Sequence, residues 1–144
     1  MLFSLAMHPC SAHETLVSIV DDDVSVCRAL RRLVEFAGFT AETFASGREV
    51  LDSGLSRGSG CLVIDVHLGD MTGFELYRSL VANGTRPPVI FITAHEDSEA
   101  EEYAWRAGAV AYLRKPVPTS AFLTAIERAL RDARTLNLRS IPPP

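Results

Sequence analysis

The chain has 144 residues, which fits one domain, and 47% of them are hydrophobic, enough to bury a full core. Its formal net charge is −4 and it contains no basic run, which argues against a nucleic-acid surface in this chain. The three cysteines, Cys10, Cys27 and Cys61, are odd in number and lack metal-ligand spacing, so they read as reduced structural thiols. Residues 2–7 are apolar, but the stretch is brief and no basic residue precedes it, so neither a signal peptide nor a membrane span is expected.

Residues 1–15 show no periodicity and contain Pro9, so they read as a loose leader. A first strand is expected at 16–20. A helical pattern follows, with Val26, Leu30, Leu33 and Val34 on one face and Arg28, Arg31, Arg32 and Glu35 on the other, and Gly38 stops it. The second strand is expected at 39–44, and Ser46 can cap a short helix reaching Leu51 or Asp52. After glycines 54, 58 and 60 comes a third strand ending at Ile64. A helix starting near Thr72 carries Phe74, Leu76, Tyr77, Leu80 and Val81. Gly84 and Pro87-Pro88 separate it from the fourth strand, Val89-Ile90-Phe91-Ile92-Thr93. Ser98 can cap a fourth helix, with Ala100, Tyr103, Ala104 and Ala107 on one face. The last strand is expected at 110–113. A final helix from Thr119 or Ser120 buries Phe122, Ile126, Ala129, Leu130 and Ala133, and its pattern fades after Arg134.

Strand and helix alternate five times, and right-handed crossovers then give an α/β doubly wound parallel sheet. Such a sheet gathers its chemistry at the carboxyl ends of the strands. There the chain places Asp21 and Asp22, Asp65, Thr93 and Lys115. Carboxylates in a group suit a hard cation such as Mg²⁺, and they repel one another unless a cation or Lys115 offsets them. Taken alone, Asp21-Asp22-Asp23 also suits a helix N-terminus, Thr93 a β-branched strand position, and Lys115 a solvated surface. Their joint placement is what favours a site.

These residues resemble the response-regulator receiver domain, the phosphoacceptor module of two-component signalling, over about residues 15–131. The motifs are the acid pair after the first strand, Asp65 after the third, Thr93 after the fourth and Lys115-Pro116 after the fifth, with Ala107-Gly108-Ala109 before the last strand. The texture of Ile92-Thr93-Ala94-His95 is similar to receivers of LuxR-type regulators. The resemblance implies a (βα)5 flavodoxin-like fold of strand order 2-1-3-4-5, with the receiver at 16–134 and residues 135–144 a tail or the start of a linker. It implies Asp65 as phosphoacceptor, and Mg²⁺ (or Mn²⁺) held by Asp21, Asp22, Asp65 and the backbone carbonyl of His67. Thr93 and Lys115 would contact the phosphoryl group, Thr93 and Tyr112 would form the switch, and Lys115-Pro116 would be cis. The implied partner is a sensor histidine kinase or phosphotransfer protein, in a bacterial cytoplasm, with no membrane and no nucleic acid contacted by this chain. A receiver is a signalling phosphoacceptor that catalyses only its own phosphorylation and dephosphorylation.

Three features depart from or add to the pattern. Gly69 stands where the family usually carries Pro, which predicts a more mobile loop. His67 and His95 lie two residues after Asp65 and Thr93 and flank the implied path of the hydrolytic water, so they are candidates for tuning dephosphorylation. Loop histidines without function, or a bridging transition metal, are the other readings of that pair. Trp105 lies away from the alanine face of its helix and is a candidate interface residue, with Tyr112, on the dimerisation face formed by the fourth helix, last strand and last helix. Packing against a neighbouring helix or covering the sheet edge is the alternative for Trp105. The competing functions are a phosphorylation-independent receiver-like scaffold and an aspartate-nucleophile phosphatase. The scaffold would be expected to lack one of Asp22, Asp65, Thr93 and Lys115, and the phosphatase would carry Asp where His67 stands. No output segment is read after residue 134, so a stand-alone receiver and a chain cut at a linker both stay open.

Overall fold

The computed structural model describes residues 16–54 and 59–139, with side chains through Asp132. The expected leader at 1–15 and the last residues of the expected tail lie outside the described residues. Five strands form one parallel sheet: β1 (Leu16–Val20), β2 (Thr40–Phe44), β3 (Cys61–Asp65), β4 (Val89–Thr93) and β5 (Ala111–Arg114), in the order β2-β1-β3-β4-β5. The crossovers are α1 (Val24–Phe36), α2 (Gly47–Ser53), α3 (Gly73–Ala82) and α4 (Ser98–Arg106), and α5 (Thr119–Arg139) closes the fold.

Alternation along the strands explains the two cores. Side chains at Val17, Ile19, Val63, Ile90 and Ile92 meet Leu30 and Val34 of α1 and Phe122, Ile126 and Ala129 of α5. The intervening residues Val20, Leu62, Ile64 and Phe91 meet Val50, Leu76, Leu80 and Ala104 on the opposite face. Strands buried on both faces read as continuous apolar runs, which is why β3 and β4 are so plain in the sequence.

Local signals fix the helix starts. Ser46 caps α2 by accepting from the Glu49 N–H, and Thr72 forms a reciprocal capping box with Glu75 at α3. At α4 the cap is Asp97, not Ser98: the Asp97 carboxylate accepts from the Glu99 and Ala100 N–H groups, and Ser98 becomes the first helical residue. The expected inner face of α4 is also narrower, since only Ala104 is buried and Tyr103 is 38% exposed. In α1 the buried positions are Cys27, Leu30 and Val34, with Val26 and Leu33 half-buried. Helix α5 continues to Arg139, past the Arg134 at which the sequence pattern fades. No helix among the described residues is long and apolar enough to cross a membrane.

Candidate functional site at the strand ends

Register brings the expected residues to one level. Val20 of β1 pairs with Ile64 of β3, so Asp21 and Asp65 lie side by side one residue later. Asp65 pairs with Ile92, placing Thr93 one step beyond it, and Thr93 pairs with Arg114, the residue before Lys115. Hydrogen bonds continue the ladder past the strand ends, from Val66 N–H to Ile92 O at 2.9 Å and from Lys115 N–H to Thr93 O at 2.8 Å.

Carboxylate oxygens of Asp21, Asp22 and Asp65 lie within 4.8 Å of one another. Asp21 is fully buried and Asp65 is 5% exposed, whereas Asp22 faces solvent. The Lys115 ammonium reaches both buried acids, 2.8 Å from Asp21 Oδ2 and 3.0 Å from Asp65 Oδ2. Asp21 Oδ1 accepts from the Asp23 N–H at 2.9 Å, and Asp65 Oδ1 accepts from the His67 N–H at 3.1 Å. Asp23 stays out of the cluster and caps α1, accepting from the Ser25 N–H. The acidic triplet therefore divides its labour between a cap and a site.

Burial raises the Asp21 carboxyl above its ordinary 3.8, outweighing the opposing pull of Lys115 and the Asp23 N–H, and the neighbouring Asp65 charge adds to the rise. For Lys115, burial works against the charge, yet the hydrogen bonds and charges of Asp21 and Asp65 win and hold its pKa above 10.5. Formally, three carboxylates against one ammonium leave −2 (3 − 1 = 2) at the strand ends. An oxygen-only donor set with surplus negative charge, and one member open to solvent, fits a hard divalent cation that keeps several waters.

Thr93 is buried, and its Oγ1 accepts from the His95 N–H at 3.1 Å. Tyr112 is half-buried, with a buried hydroxyl oxygen that faces Thr93 and has no hydrogen bond of good geometry. Burial, with the charges of Asp97 and Glu101, raises its phenol above 10. His67 and His95 are exposed and meet edge to face, ring centres 4.7 Å apart. Trp105 is 49% exposed and donates from Nε1 to Glu101 Oε2 at 3.4 Å. The Lys115-Pro116 peptide is cis. Cys61 and Cys27 are buried thiols, the latter pushed up to about 11 by burial, with the Asp21 charge adding to it.

Two residues near the site escape sequence reasoning. A Cβ added at Gly73, the first residue of α3, would stand 2.5 Å from the carbonyl oxygen of Asp65, so the helix rests directly on the backbone of the central acid. Asp70 accepts from the N–H groups of Gly47 at 3.2 Å and Arg48 at 3.0 Å, tying the loop after β3 to the start of α2. Its partners lie more than twenty residues upstream, and a local reading sees only a turn aspartate. Gly69 has φ +90°, a value closed to proline, and a side chain there would come within 3.4 Å of Asp22 Oδ2. What Gly69 supplies is thus a tight turn beside Asp22 that Pro could not form.

Over residues 17–127 the chain matches the family model described as the response regulator receiver domain. The chain belongs to this family. It is 36% identical over 120 residues to the response regulator protein TmoT of Ectopseudomonas mendocina, an alignment covering 83% of this chain and 54% of that protein. Among solved structures, it is similar to response regulator StyR, with 39% identity, a TM-score of 0.80 and coverage of 86% of this chain and 63% of that one. A receiver protein from Burkholderia phymatum is 43% identical, with a TM-score of 0.69 and coverage of 80% and 94%. The chain spans about half the length of the first curated relatives it matches. Receiver domains of response regulators are signalling proteins of two-component systems, and the five-stranded 2-1-3-4-5 sheet is their fold.

Proposed function

We propose that this receiver accepts a phosphoryl group on Asp65 from a sensor histidine kinase or a phosphotransfer protein, in a Mg²⁺-dependent transfer within a bacterial cytoplasm. The observation that carries the reading is Lys115 Nζ, set between Asp21 Oδ2 at 2.8 Å and Asp65 Oδ2 at 3.0 Å, at the edge of the three-carboxylate cluster. Asp21, Asp22, Asp65 and the His67 carbonyl would hold the ion. Bound there, Mg²⁺ (or Mn²⁺) would offset charge on the transferring oxygens, the chief requirement of phosphoryl transfer.

The remaining work belongs to side chains. Asp65 attacks phosphorus through a carboxylate oxygen, the bond to the donor's nitrogen breaks, and an acyl phosphate results. Lys115 is already aimed at the attacking carboxylate and can follow the charge onto a phosphoryl oxygen. Thr93 gives up the His95 N–H and turns its hydroxyl to the phosphoryl group, and Tyr112 fills the space beside it. The output is a population shift of the α4-β5-α5 face, where Tyr112 and the exposed Trp105 would contact a partner or a second copy. Water attack then ends the signal, with His67 and His95 flanking its approach.

Intact-mass measurement after incubation with Mg²⁺ and acetyl phosphate tests the reading. The wild type gains one phosphoryl mass and Asp65→Asn gains none. An unmodified wild type across a panel of phosphodonors would favour the phosphorylation-independent scaffold instead.

A further inference from the structure

The side chains of His67 and His95 are not members of the carboxylate cluster. They stand on different loops, after β3 and after β4, yet their rings touch with centres 4.7 Å apart and planes at 86°. Both are exposed. Metal–nitrogen bonds of about 2.0–2.1 Å, with each ring centre about 1.1 Å further back and ligand angles of about 90–109°, place two ring centres about 4.5–5.1 Å apart. The observed spacing falls inside that interval, and turning the exposed rings out of their edge-to-face contact is what would bring one nitrogen of each onto a shared ion. We propose that His67 and His95 form a second cation site, specific for a borderline divalent metal such as Ni²⁺, Cu²⁺ or Zn²⁺ and separate from the carboxylate cluster.

The chemistry of the two donor sets keeps them apart. Imidazole selects late first-row metals and has little hold on Mg²⁺, whereas carboxylates and water suit Mg²⁺. Among the described residues, the only group of three or more metal-binding side chains is Asp21, Asp22 and Asp65, so the histidine pair would complete its coordination with water. An ion held this way ties the loop after Asp65 to the loop after Thr93. Edge-to-face packing of two rings produces the same spacing without a metal, and it predicts no binding.

The test is calorimetric titration of the full chain with Ni²⁺ at pH 7.5 in saturating Mg²⁺. The arms are wild type, His67→Ala, His95→Ala, the double variant and Asp65→Asn. The chain has two further histidines, His8 and His13, which all these variants retain, so any loss reports the pair. The expected result is a one-to-one site in the wild type, at least tenfold weaker in each single histidine variant. Asp65→Asn should stay within about threefold of wild type. Both rings are exposed, so their truncation leaves the core packed, and retained Mg²⁺ binding by His95→Ala confirms an intact fold. Equal Ni²⁺ affinity in the double variant overturns the site, and so does loss of Ni²⁺ binding in Asp65→Asn. Neither outcome depends on whether Asp65 is phosphorylated.

Discussion

Replacing Gly73 by alanine should disturb the phosphorylation site from beneath. The added Cβ would lie 2.5 Å from Asp65 O, 2.8 Å from Ile64 Cγ2 and 3.2 Å from the Asp65 carbonyl carbon. A carbon–oxygen contact relaxes at about 3.3 Å, so roughly 0.8 Å must be absorbed by moving α3 away from β3. The helix is pinned there by the Gly73 N–H, which donates to Val66 O at 2.7 Å, and the obstructing atoms are mainly backbone. Overpacking of this kind costs about 1–3 kcal/mol, and the lower unfolded-state entropy of alanine returns about 0.4–1 kcal/mol. The net expectation is a loss of about 1–2 kcal/mol, read as a lower urea midpoint at unchanged slope, with slower phosphorylation of Asp65.

Gly47→Ala is the matched control. It too is the first residue of a helix, and its added Cβ would fall 2.5 Å from an obstacle, but that obstacle is the Met71 thioether. An unbranched methionine swings aside, so the stability change should stay within about 0.5 kcal/mol. If Gly73→Ala proves as stable as Gly47→Ala, the close approach of α3 to Asp65 is not a constraint and the reasoning fails.

Three other substitutions probe the charges. Asp21→Asn should stabilise the metal-free protein by on the order of 1 kcal/mol near neutral pH, because burial raises the Asp21 pKa and so disfavours its charge on folding, while Mg²⁺ affinity falls. The stability advantage should shrink as the pH falls through that raised pKa and be gone below 3.8; thermal melts at stepped pH check it. Lys115→Met should cost about 1–3 kcal/mol in the absence of divalent cations by leaving Asp21 and Asp65 unpaired. The folded-state lysine pKa is raised, so from neutral pH up to 10.5 this deficit is constant, and it shrinks above 10.5, as chemical denaturation at stepped pH would show. Asp70→Ala should lower stability by about 0.5–1 kcal/mol, by freeing the Gly47 and Arg48 N–H groups at the start of α2. The Asp70 pKa is lowered because those backbone hydrogen bonds outweigh its desolvation, so its contribution is lost as the pH falls below 3.8; a difference from wild type that persists there would contradict the clamp.

Legibility followed the range of the interaction. Asp21, Asp65, Thr93 and Lys115 each sit at or just past the end of an apolar run, and a parallel sheet in register aligns such ends without further information. The cap at Ser46 and the helix start near Thr72 were readable for the same reason, since the partners of both side chains lie three residues away. Asp97 and Ser98 are both capping residues in adjacent positions, and only the backbone path chooses between them. The roles of Gly73 and Asp70 depend on atoms brought close by packing, Asp65 O in one case and the α2 N-terminus in the other. A glycine or aspartate in a loop carries no local mark of such a contact. The pairing of His67 with His95 is intermediate, because matching offsets after two neighbouring strand ends suggest proximity, while the 4.7 Å contact is a property of the folded loops.

The charge balance links stability to function. Asp21 gives up both oxygens inside the protein, to Lys115 and to the Asp23 N–H, and is nevertheless pushed toward its neutral form. Lys115 divides one charge between two buried acids, and solvent screens only Asp22. A core built for stability alone would replace such an arrangement with neutral residues. Any divalent cation bound at the carboxylates relieves the surplus charge, so its binding energy appears directly as added folding stability, growing with ion concentration. Metal-dependent stabilisation should therefore be larger in the wild type than in Asp21→Asn, the variant with the better metal-free stability. That inverse ordering separates a site strained by its own acids from one in which the carboxylates are merely solvated helix caps.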